Sequence, residues 1–170
     1  MTEQTEIKDR ESAESTVSVE LNEALVKCVT AKRNIGIMII LTLVSMFLLL
    51  IKSEYSFPFS AFIPQLCVAF AGSSETYTLK FLWYGLSSGL LLLFATCWLF
   101  CLVRPFWYMF ALFLFLGDSL VLYWVSANIE DPSLIDIVFH IWILYYMFMG
   151  MVASFKARKL RLLIESTPQQ

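Results

Sequence analysis

The chain has 170 residues, of which 59% are apolar and 15% charged, against about 45–50% and 25% in soluble domains. A soluble fold of this size has too little interior to hide that much apolar surface, which excludes the ordinary soluble enzyme and binding-domain classes. The net charge of −2 is uninformative as a total but telling in its placement, and no nucleic-acid-binding pattern is present.

Residues 1–16 carry Glu3, Glu6, Asp9, Glu11 and Glu14 against Lys8 and Arg10, with Ser and Thr between them. This predicts a disordered acidic tail. A polar acidic stretch stands where the basic region of a signal peptide would, so the first apolar span is expected to act as its own insertion signal. Over 17–33, Leu21, Leu25, Cys28 and Val29 fall on one side of a helix, with Glu20, Glu23 and Lys27 elsewhere. That pattern predicts an amphipathic helix lying along the inner membrane interface.

A four-span transmembrane domain is expected over 34–164. The first span, "NIGIMIILTLVSMFLLLI" at 34–51, has no charge. The following loop contains "FPFSAFIPQLCVAFAG", broken by Pro58 and Pro64 and too short to cross a bilayer. It reads as an outer-side interfacial or re-entrant segment, or as an apolar loop packed on the bundle. Further spans are expected at about 79–103, 105–125 and 133–155, with a polar end at 165–170. Arg104 leaves almost no loop between the second and third, and Pro105 suits the first turn of a helix. The fold class is thus all-α, an integral membrane four-helix bundle.

Orientation follows from Lys and Arg at the span ends. Lys27, Lys32, Arg33, Arg104, Lys156, Arg158, Lys159 and Arg161 gather on one side, against Lys52 and Lys80 on the other. Both termini are therefore expected in the cytoplasm of a cell. Lys156, Arg158, Lys159 and Arg161 are placed at anionic lipid head groups. Tyr55, Trp107, Tyr108, Tyr123 and Trp124 fit interfacial belts.

Polar groups inside the spans are the candidate site. Counted at 1.5 Å per residue, Asp118 and His140 both lie about 10 Å below the outer boundary, on neighbouring antiparallel helices. Ser45, Ser87, Ser88 and Ser119 fall in the same layer, and Asp136 about one turn above it. A carboxylate in hydrocarbon must turn inward and find a partner, and His140, the single histidine, is the expected one. Such a pair serves either as glue between helices or as a proton-handling group. Asp118, Asp136 and His140 also form a weak donor set for a metal, since a catalytic zinc ordinarily takes more than one histidine. No metal or other cofactor is expected.

Helix packing is assigned to two pairs of small residues, Gly85 and Gly89 in "GLSSG", and Gly150 with Ser154. Cys28, Cys67, Cys97 and Cys101 lack a redox spacing and are expected to be free thiols. Small multidrug transporters share the helix number only, because their signature acid lies in a first span that here is uncharged. The leading reading is a non-catalytic membrane-embedded interaction or regulatory module, in contact with lipids and with a membrane-protein partner or a second copy. A small oligomeric proton-linked transporter using Asp118 and His140 is the alternative. An intramembrane metalloenzyme is third.

Overall fold

The computed structural model describes residues 2–52, 60–102, 104–128 and 134–166, with side chains from Ser15 onward. Tyr55, Pro58, Val103, Glu130, Asp131 and residues 167–170 lie outside the described residues. Five helices follow one another: α1 (Thr2–Leu50), α2 (Phe62–Ser73), α3 (Tyr77–Phe100), α4 (Pro105–Ser126) and α5 (Leu134–Ser166). No strand occurs among the described residues. The Ser15–Leu50 part of α1 and helices α3, α4 and α5 are long and apolar enough to cross a membrane. The 12 residues of α2 are too few.

α1 differs from the sequence expectation. Its backbone is one helix from Thr2, where a disordered tail is predicted to residue 16, and it passes without a break through 17–33 into the first span. The stretch contains no proline and only Gly36, so nothing in it ends a helix. Its 49 residues reach about 73 Å and the 33 of α5 about 50 Å, against roughly 30 Å of hydrocarbon. The two helices run on together past the start of α4 as a two-helix stalk.

One continuous face joins α1 to α5 through the body and into that stalk. Ala24, Cys28, Ala31, Ile35, Met38, Thr42 and Ser45 are the buried face of α1, at alternating steps of four and three. This is a heptad seam of the kind that winds helices into a left-handed pair. α5 answers with Ile143, Met147, Gly150, Ala153, Ser154, Ala157 and Leu160. The interfacial-helix reading favoured the larger face, yet Val29 is 57% exposed and Leu21 and Leu25 are only half-buried. Small side chains win the interface because they let backbones approach closely. At Gly150 an added Cβ would run into the Ala31 Cβ and come within 3.2 Å of the Tyr108 ring. Tyr108 is itself fully buried and donates its hydroxyl to the Cys28 carbonyl at 2.6 Å, tying α4 to the same crossing.

The helices form a ring in which α5 lies between α1 and α4, and α3 closes the fourth side. α3 meets α1 and α4 through Phe94, Cys97 and Cys101 in its second half. There the Trp98 indole lies on Gly36 and the Lys32 ammonium sits 5.2 Å from the Trp98 ring. In its first half α3 packs on α2, with the Phe70 and Trp83 rings 5.3 Å apart. α2 thus wedges between α3 and the pair α1 and α4 at the end opposite the stalk. Gly85 and Gly89, expected inside the bundle, face outward with nothing within 4 Å of an added Cβ.

The two glycine pairs should therefore respond oppositely. Gly150→Val is expected to lower stability by about 1–3 kcal/mol through overpacking. Gly85→Ala should be neutral or stabilising by up to ~1 kcal/mol, from helix propensity alone. Thermal unfolding of both variants in detergent measures the contrast.

Candidate functional site

The N-terminal end of α2 is the most demanding point of the fold. Ser60 and Ala61 are 2% and 1% exposed, so the first backbone N–H groups of α2 cannot reach solvent. Ala61, at the N-cap position, has no side-chain acceptor to offer. Other helices supply the acceptors. Thr42 Oγ accepts the Ala61 N–H at 2.8 Å and donates its own hydrogen to the Met38 carbonyl at 2.7 Å. Asp118 Oδ2 accepts the Phe62 N–H at 2.8 Å, and Oδ1 accepts the Ile63 N–H at 2.6 Å. The next residue, Pro64, has no N–H to satisfy. Its carbonyl accepts the Ser87 hydroxyl at 2.8 Å, which ties α2 to α3. Gln65 completes the turn by donating to Ser60 Oγ at 2.5 Å and to the Ala61 carbonyl at 3.0 Å.

Asp118 is thus a helix cap delivered from α4, with its charge at the positive end of the α2 dipole. His140 meets it from α5, with Nε2 3.2 Å from Asp118 Oδ2. The other ring nitrogen, Nδ1, lies 2.9 Å from the backbone carbonyl of Asp136 one turn earlier. Because that carbonyl only accepts, Nδ1 carries a hydrogen. A hydrogen on either Nε2 or Oδ2 completes the contact between the two side chains. Phe115 stacks on the imidazole at a centroid distance of 5.0 Å and an interplanar angle of 11°. The side chains of Asp118 and His140 are 2% and 4% exposed. This is a satisfied polar cluster in an apolar setting, the arrangement in which burying such groups costs least.

The remaining members of the expected layer scatter. Ser45 and Ser87 are buried, Ser88 faces outward, and half-buried Ser119 donates back to the Phe115 carbonyl of its own helix at 2.8 Å. Asp136 joins through its backbone carbonyl. Asp118, Asp136 and His140 do not form a donor cluster: no three His, Cys, Asp or Glu side chains gather at metal-binding spacing among the described residues. Thr42, Gln65 and Tyr108 carry much of the polar bonding and were not in the sequence-derived layer. A proline two residues after an apolar, capless Phe62 was the available signal that a cap must come from elsewhere. The four cysteines are free and buried.

At the stalk end, the basic residues assigned to lipid sort into two faces. Lys156 pairs with Glu20 of α1 at 2.9 Å, and this pair borders a small cleft shared with Glu23 and Lys27. Arg158 and Arg161 line a different and larger cleft. Lys159 is exposed. Neither cleft is lined by Asp118 or His140.

Four apolar helices of spanning length make the chain a small multi-span membrane protein. No family model matches it, and neither a curated protein nor a solved structure is similar to it.

Removing the acceptor at the head of α2 should be costly. Asp118→Ala strands two buried N–H groups and an imidazole, and a loss of about 3–5 kcal/mol is expected. Thr42→Val strands one N–H, for about 1–3 kcal/mol. The double variant Asp118→Asn with His140→Gln keeps one acceptor oxygen but turns a donating NH2 toward the other N–H, and a loss of about 1–3 kcal/mol is expected. Chemical unfolding in detergent, with amide exchange at Phe62 and Ile63, separates the three.

Proposed function

We propose that the chain is a non-catalytic interaction or regulatory module of a cell membrane, with both termini in the cytoplasm. The spanning body holds the α1–α5 stalk clear of the bilayer, and the stalk is the part offered to a membrane-protein partner or a second copy. The observation that carries this reading is the continuation of the α1–α5 contact past the core cluster, where Ala24, Ala153, Ala157 and Leu160 are buried between the two helices. A pair of helices held together beyond the membrane by its own packing is a rigid platform, not a lid or a pore lining. Placing the stalk in the cytoplasm rests on Lys27, Lys32, Arg33, Arg104 and the basic end of α5. In that orientation α2 is a re-entrant half-helix, starting about 12 Å inside the outer ends of α1 and α4, at the level of Thr42 and Asp118.

A proton-linked conduit draws on the same Asp118 and His140. Its support is weaker, because both carboxylate oxygens and both ring nitrogens are already engaged in anchoring α2 to the body.

Two measurements test these readings. With the native cysteines buried, a cysteine placed at Glu75 should react with an impermeant maleimide in intact cells. One placed at Glu23 should react only after permeabilisation, and the reverse pattern overturns the orientation. In vesicles loaded with a pH-sensitive dye, the protein should leave the decay of a proton gradient at the protein-free rate. Faster decay that Asp118→Asn with His140→Gln abolishes would establish the conduit instead.

A further inference from the structure

The cleft at the stalk end has a volume of about 670 Å³ and is walled by α1, the start of α4 and α5. Its charged members are Arg104, Arg158 and Arg161, and no acidic residue lines it. None of the three arginines is in an ion pair among the described residues. The acidic side chains of this region lie on the other face of the stalk, where Glu20 and Glu23 stand with Lys27 and Lys156. Three cationic side chains thus line one open cleft while the nearby acids line the other. Such a cleft carries a positive potential that favours an external anion.

The remaining walls are apolar. Phe106 and Met109 on α4 and Phe155 on α5 lie on the spanning side of the arginines, and Leu25 and Leu102 close the rim. Arg104 immediately precedes the first residue of a membrane-spanning helix, which sets it at the level of lipid head groups. An arginine fork binds phosphate oxygens in pairs, and acyl chains need the adjoining apolar wall. The α4 N-terminus, opened by Pro105 without a side-chain cap, adds its partial positive charge to the same cleft.

We propose that this cleft is a specific site for one anionic phospholipid. Its phosphate is held by Arg104, Arg158 and Arg161, and its acyl chains lie along Phe106, Met109 and Phe155. The lipid bridges the α3–α4 turn to the stalk, so its binding stiffens the junction between body and stalk. This rests on the membrane-embedded character of the chain and not on the module reading, and its test does not depend on orientation or on proton flux.

The test is binding to the purified full chain in detergent, followed by native mass spectrometry and thermal unfolding. The probes are phosphatidylglycerol, phosphatidylcholine and inorganic phosphate. Phosphatidylglycerol is expected to bind at least tenfold more tightly than phosphatidylcholine and to raise the unfolding temperature, while inorganic phosphate does neither. Arg104→Gln, and separately Arg158→Gln with Arg161→Gln, should weaken phosphatidylglycerol binding tenfold or more. All three side chains are exposed, so these variants should fold. The control Lys27→Gln with Lys80→Gln removes two charges from outside the cleft and should leave binding within about twofold. Equal binding of the two lipids, stabilisation by phosphate alone, or equal loss in the lysine control would each overturn the site.

Discussion

Inside hydrocarbon a backbone N–H without an acceptor costs several kcal/mol, and no water is at hand to supply one. The fold is arranged around that constraint at one place, where α2 begins within the body rather than at its surface. Thr42 of α1 and Asp118 of α4 accept its first N–H groups, and Ser87 of α3 bonds its first carbonyl beyond them. His140 of α5 then holds the Asp118 carboxylate. Three spanning helices bond a single short helix terminus directly, and the fourth supports it through Asp118. The aspartate and histidine that stand out in an apolar sequence are built into this cap, the aspartate as its acceptor and the histidine as the aspartate's partner.

The other organising feature is steric. Helices α1 and α5 approach closely because Gly150 faces Ala31, and they stay together beyond the body because Ala24, Ala153 and Ala157 continue the same seam. Tyr108 adds a hydrogen bond from α4 across that crossing. The polar cap lies at one end and the small-residue seam runs to the other, so the body is pinned at both ends by different physics. Surface charge contributes little to this. The Lys156–Glu20 pair is about half exposed on both sides, and such pairs contribute ~0–1 kcal/mol. The arginines of the stalk cleft have no such internal partner among the described residues.

The sequence by itself determined that the chain is helical and membrane-embedded, because runs of about twenty apolar residues admit no other solution in water or in lipid. It also determined that Asp118 and His140 share a depth, since a helix has a fixed rise per residue and their neighbouring helices are joined by a short loop. Tertiary structure alone decided what the pair is for, because the N–H groups it serves belong to Phe62 and Ile63, more than fifty positions away in the chain. It also decided between the two glycine motifs. "GLSSG" and the Gly150–Ser154 pair are alike as patterns, and only the partner's surface distinguishes a seam from a face left open. The contacts of the 17–33 stretch were hidden for the same reason. Amphipathicity ranks faces by hydrophobicity, whereas contact between helices in a membrane is governed by how closely their backbones can approach.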